Sequence, residues 1–212
     1  MFLFLLPLLS EAQAFPGIAL DPPSAAGPPQ PGQLPNTLSA PAMTSRDKFD
    51  YRIVQSIGLR GFVGAAIGAS IGTATNTPRE WGQGVGGFAE RYGSGFAANL
   101  TRQSLAFVIE NTLHEDPRYF PSEEKSGNER LVNAVKQVFW TKTDNGGSSF
   151  AYGRVISAFG AGEISGLWQP ASSNGFGRGI VRTGISLGGD FAYNMMQEFL
   201  PFTRPNSLRH RH

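Results

Sequence analysis

The densest set of side chains able to do chemistry is the run Leu113-His114-Glu115-Asp116-Pro117-Arg118-Tyr119-Phe120. A histidine beside two carboxylates is the material of acid–base catalysis or of a metal site. The spacing disfavours both. Neighbouring positions on a helix diverge, so His114 and Glu115 do not converge as an i, i+4 zinc pair would. The other histidines, His210 and His212, sit at the end of the chain. A structural reading is preferred: Asp116 caps a turn begun by Pro117, and Arg118 pairs with a nearby carboxylate. Asp190, in an otherwise apolar helical stretch, is the remaining polar candidate. A buried acid needs a partner, and Arg154, Arg178 and Arg182 are the expected ones.

Gly82, Gly84 and Gly87 spell G-x-G-x-x-G. A dinucleotide site needs that motif between a strand and a helix. Here it is expected inside a helix already begun at Thr77, with no strand before it. No cofactor, metal or catalytic residue is therefore assigned. Asn99-Leu100-Thr101 matches a glycosylation acceptor but falls within a predicted helix.

The elements that must carry these groups are organised around Gly61–Gly72, GFVGAAIGASIG. Gly64, Gly68 and Gly72 recur every four residues, and Ala65, Ala69 and Thr73 repeat the spacing one position later, with Gly61 opening the stretch. Rows four apart share one helix face, and such smooth faces admit a close second helix. Ala158, Gly162 and Gly166 repeat the pattern, as do Gly184 and Gly188, so all these residues are expected to pack helices together. Helices are predicted from Thr44, capped with Asp47 reaching back, to Gly58, from Leu59 to Thr73, from Thr77 onward, from about Phe96 to Glu115 and from Leu131 to Phe139. Asp144-Asn145-Gly146-Gly147 reads as a turn. Further helices are predicted from Phe150 to Trp168 and from Phe176 to Phe199, the last with Phe176, Ile180, Leu187, Phe191, Met195 and Phe199 as its bulky side. The Thr77 helix holds Gly82, Gly84, Gly86, Gly87, Gly93 and Gly95. At about 1 kcal/mol each relative to alanine, these predict a break near Gly93–Gly95. Alternating strand patterns are nearly absent. The expectation is an all-α bundle of five to six helices over residues 44–200.

Flanking segments differ in composition. Residues 1–14, MFLFLLPLLSEAQA, read as a secretory signal with an Ala12-Gln13-Ala14 cleavage pattern. No Lys or Arg precedes the apolar run, which fits a weak signal or a start placed downstream of the true one. Residues 15–43 carry eight prolines and read as an extended, disordered linker, up to about 90 Å long at ~3.1 Å per residue. Residues 201–212 read as a basic, disordered tail. The chain has 18 Lys and Arg against 16 Asp and Glu, which favours no nucleic-acid partner. The absence of cysteine excludes disulfides, thiolate metal sites and cysteine nucleophiles. The apolar part of Gly61–Pro78 covers about 18 Å of helix, short of the roughly 30 Å of a bilayer core, so no conventional transmembrane helix is expected.

The segments Ala74–Gly82 (ATNTPREWG), Leu113–Phe120 (LHEDPRYF) and Gly184–Asn194 (GISLGGDFAYN) resemble an uncharacterised family of bacterial secreted or envelope proteins, over roughly Asp47–Phe199. The resemblance implies an exported helical protein and carries over no activity or catalytic residue. The expectation is an exported, non-enzymatic protein of the periplasm or envelope, acting through small-residue faces by self-association or at a membrane surface. Two alternatives stand beside it. One is an enzyme or small-molecule binder with a cleft around His114–Arg118, and the other is a lipid-active hairpin with an unpartnered small face.

Overall fold

The computed structural model describes Thr37 and residues 40–204. The leader, most of the linker and the residues after 204 lie outside the described part. The fold is an all-α bundle: α1 (Ser45–Ile57), α2 (Leu59–Ala74), α3 (Gly84–Thr112), α4 (Gly127–Phe139), α5 (Tyr152–Ile164) and α6 (Phe176–Phe199). One short hairpin, β1 (Trp140–Lys142) with β2 (Ser148–Phe150), flanks the expected Asp144–Gly147 turn. The hairpin was not anticipated because three-residue strands are too short to show an alternating pattern.

Local signals set several boundaries. Thr44 and Asp47 form a reciprocal capping box, with Asp47 N–H donating to Thr44 Oγ1 at 3.2 Å and Thr44 N–H to Asp47 Oδ2 at 2.9 Å. Gly58 is extended, and α1 and α2 abut across it. Thr77 and Pro78 do not open α3. A 3-10 turn at Arg79–Trp81 follows them, and α3 starts at Gly84. The physical reason is Arg91, whose guanidinium gathers the carbonyls of Thr77, Pro78 and Gly82 at 2.7–2.8 Å. Gly82 adopts φ 65°, a left-handed conformation open to glycine. The expected break near Gly93–Gly95 is also absent. α3 packs against α1, α2 and α5, and that packing offsets the propensity cost of its glycines.

Contacts show the chain running up and down. Arg52 meets Glu110, Ser56 meets Asn99 and Gly72 meets Arg91, so α1–α2 and α3 are antiparallel. Gly153 meets Glu110 and Trp168 meets Ser94, which sets α5 antiparallel to α3. α6 packs on α5 and, near its C-terminus, on α4. The chain on either side of residues 44–200 also docks: Thr37 bridges Ser122, and Pro201–Thr203 forms a turn beside which Arg204 Nε donates to Gln197 O at 2.8 Å. The tail, expected to be disordered from residue 201, is thus ordered through Arg204.

The distribution of polarity is inverted relative to a water-soluble bundle, which buries its apolar stripes. Among the described residues, the buried apolar side chains are seven alanines, Val138, Tyr119, Phe120, Pro117 and Pro121. The largest fully buried ones include Lys48, Gln137, Gln197, Glu110, Glu115 and Glu198. The stripes Phe49, Ile53 and Ile57 on α1, Val63, Ile67 and Ile71 on α2, and Ile180 and Ile185 on α6 face outward. Leu59 is 80% exposed and Ile185 71%. No charged residue is exposed between Tyr51 and Pro78, Arg91 and Thr112, Tyr152 and Gly177, or Gly179 and Leu200. Exposed charges such as Arg46, Asp50, Arg79, Glu80, Glu123 and Arg178 sit toward the helix ends. By length and composition alone, the stretch Ser45–Ala74, α1 and α2 taken together, is long and apolar enough to cross a membrane. The sequence expectation of no conventional transmembrane helix considered the apolar part of Gly61–Pro78 without α1.

Candidate functional site

The polar run after α3 is a latch. His114, at φ 55°, is exposed, and its Nδ1 lies 3.6 Å from Asp144 Oδ2. Glu115 is buried and accepts from the Tyr152 and Gly153 N–H groups at 3.0 and 2.8 Å, capping the N-terminus of α5. Burial pushes the Glu115 carboxyl above its ordinary range, although those two N–H bonds oppose the shift. Asp116 Oδ1 accepts from Arg118 N–H and Nε at 3.0 Å, and its Oδ2 from Arg118 Nη2 at 2.6 Å. Arg118 also donates to Pro41 O at 2.6 Å. Thr141 Oγ1 donates to Asp116 O at 2.6 Å, tying in the hairpin. Tyr119 donates to Glu198, which also accepts from Arg130 Nε at 3.0 Å. Burial, and then the Glu198 carboxylate, raise the Tyr119 phenol, which stays protonated.

These groups are therefore spent on one another. His114 points to solvent, Glu115 caps a helix, Asp116 and Arg118 pair locally, and Asp190 lies elsewhere in the bundle. They do not form a shared cleft. Among the described residues, no three His, Asp or Glu side chains are placed to hold a metal ion. The G-x-G-x-x-G segment straddles the start of α3 behind a 3-10 turn. Its Gly82 carbonyl is turned to Arg91, which is not the cradle a phosphate needs.

The group that does converge is an arginine core. Arg52 from α1 makes a fork to Glu110, with Nε to Oε2 at 2.9 Å, and reaches Gln103 Oε1 at 2.7 Å. Arg102 from α3 makes a second fork to Asp190, with Nη1 to Oδ1 at 3.2 Å. Arg60 from α2 stacks 3.6 Å over the Tyr193 ring and reaches Asp190 Oδ1 at 3.4 Å. Arg154 from α5 donates to the Gln137 carbonyl. Asp190 thus meets Arg102 and Arg60, and none of the three arginines expected. Arg182 is eight residues away on α6, about 12 Å along the axis, and is held by Gly162 O at 2.8 Å and Ser173 O at 2.6 Å. Arg178 is exposed, and Arg154 turns to α4. The signal available in the sequence was a set of isolated charges (Arg52, Arg60, Arg102) in long apolar helices. In the fold these three reach partners on α3 and α6. These side chains enclose a cavity of about 30 Å³. Beside it, both amide atoms of Gln197 are buried without a hydrogen-bond partner.

A larger cleft of about 580 Å³ adjoins the core and shares Arg60, Arg102, Gln103 and Asp190 with it. α3 and α5 form its floor, and α2 and α6 its walls. The small residues divide here. Ala65, Ala69, Ala158 and Gly162 are buried, and Gly61 lies 3.1 Å from Asn99 Nδ2, measured from where a Cβ would stand. By the same measure Gly162 approaches Gly179 O at 2.9 Å, Gly166 approaches Asn174 Oδ1 at 2.7 Å, and Gly72 meets Arg91 Cδ at 2.8 Å. Among the described residues, Gly64, Gly68, Gly184 and Gly188 have no such neighbour within 4 Å. Gly64 and Gly68 line the open cleft. Among the described residues the close helix contact is made by the row beside these four.

Fold and site together define a class: a helical bundle with a polar, arginine-rich interior and an apolar exterior. The chain matches no family model, no curated protein and no solved structure.

Proposed function

We propose that the protein is a non-catalytic integral membrane component of a bacterial cell envelope, with a structural or binding role. The observation that carries this is the continuous apolar band without exposed charge around helices whose interiors are polar. In water, such a surface would drive association. In lipid, apolar side chains outside and satisfied polar groups inside are the stable arrangement. Lengths agree. α3 has 29 residues and α6 has 24, about 43 and 36 Å of helix against a hydrocarbon core of roughly 30 Å, and among the described residues Ser45–Ala74 is the stretch that is also apolar enough to cross. The hairpin, α4 and the latch would lie at one membrane face. The sequence resemblance to exported envelope proteins supports the same compartment.

Flotation of the full chain with liposomes tests this. The protein is expected to float with lipid, to resist alkaline carbonate extraction and to need detergent for solubility. A monodisperse monomer or a closed oligomer in detergent-free buffer overturns the membrane reading, and the oligomer would assign the apolar band to other copies of the chain.

A further inference from the structure

We propose that the arginine core binds one small inorganic anion, chloride in a cell. Four guanidinium groups from four helices line the cavity: Arg52, Arg60, Arg102 and Arg154. Glu110 neutralises Arg52 and Asp190 neutralises Arg102, each through a fork. Arg60 donates to the neutral Gln55 Oε1 at 2.7 Å, stacks on Tyr193 and has only a long contact to a carboxylate, Asp190, and Arg154 has a backbone carbonyl. With the Glu115 carboxylate, which lies within electrostatic reach of Arg154, three carboxylates face four guanidinium groups, and uncompensated positive charge in such a place is costly.

Gln197 gives the independent sign of a missing occupant. It is 1% exposed, it lines the cavity, and among the described residues neither Nε2 nor Oε1 has a partner. Buried amides are rarely left so. The cavity of about 30 Å³ has room for one or two water-sized species, a size that suits a single halide ion. Water alone would satisfy Gln197 but leave the charge. A halide takes N–H donors from Gln197 and the guanidinium groups, and one accompanying water can donate to Gln197 Oε1. The cleft supplies an entry, because Arg60 and Arg102 line both spaces. A cation is opposed by the same four arginines.

The inference does not require the membrane reading, and its test runs equally in micelles or in buffer. The full chain is placed in sodium gluconate, and sodium chloride, bromide or sulfate is added at matched ionic strength while thermal unfolding is followed. Chloride and bromide are expected to raise the midpoint saturably, and sulfate is not. Arg154→Gln keeps a donor for the Gln137 carbonyl and is expected to weaken the apparent halide affinity tenfold or more. Crystals grown in bromide should show an anomalous peak inside the cavity of the unmodified protein. Equal midpoint shifts from chloride and sulfate overturn the proposal, as does a bromide structure with only water in the cavity.

Discussion

Replacing both Gly64 and Gly68 by alanine is expected to stabilise the bundle. An added Cβ at either position meets no heavy atom within 4 Å, so no steric cost arises. Each substitution removes the propensity penalty of a helical glycine, about 1 kcal/mol, for a combined gain of about 2 kcal/mol. Gly162→Ala is the counterpart. Its Cβ would stand 2.9 Å from Gly179 O and 3.1 Å from Thr183 Oγ1 on α6. Overpacking of that kind costs about 1–3 kcal/mol, against the same gain of about 1 kcal/mol. The net change is a loss of up to about 2 kcal/mol. The assay is reversible unfolding in detergent followed by far-UV circular dichroism, with all variants in one micelle type. Destabilisation of the double variant by more than about 1 kcal/mol refutes the reasoning, because Gly64 and Gly68 would then be packed against a partner helix.

Two further outcomes follow from the polar interior. Asp190→Asn removes the negative charge and one of the two oxygens that accept from Arg102, leaving a guanidinium uncompensated in the core, with an expected loss of about 3–5 kcal/mol. Asp50→Asn touches only an exposed contact to Arg46 and should leave the unfolding midpoint unchanged. Glu115 carries a pH signature. Its folded carboxyl titrates above the ordinary 4.5 because it is buried, so its stabilising contribution is complete below that value. The contribution is lost as pH rises through the folded pKa. Unfolding between pH 4 and pH 7 should therefore show a smaller decline in Glu115→Gln than in the unmodified protein, on top of a capping loss of about 1 kcal/mol. Identical pH slopes in the two proteins would remove Glu115 as the source.

Much of the fold was legible along the chain. The capping residues Thr44 and Asp47 placed the start of α1, and the spacing of Phe176, Ile180, Leu187, Phe191 and Phe199 gave α6 its observed limits. The Asp144–Gly147 turn was legible, but not the hairpin around it. The start of α3 was misplaced because three carbonyls held by Arg91, fourteen residues beyond Thr77, decide it. In the latch, the local pairing of Asp116 with Arg118 was readable because it spans two residues. The capping of α5 by Glu115, 37 residues from Tyr152, was not.

What the sequence by itself determined is periodic: where the helices lie, which faces are bulky and which are small, and that charges are sparse along their middles. Periodicity fixes relative angles on one helix and carries no sign for inside or outside. Only the tertiary structure decided that Phe49, Ile67 and Ile185 turn outward while Lys48, Glu110 and Gln197 turn in. It also decided that Asp190 meets Arg102 and Arg60, partners 88 and 130 residues away. The physical reason is that a helix face acquires its meaning from what it is pressed against, and that choice is made among helices distant in the chain.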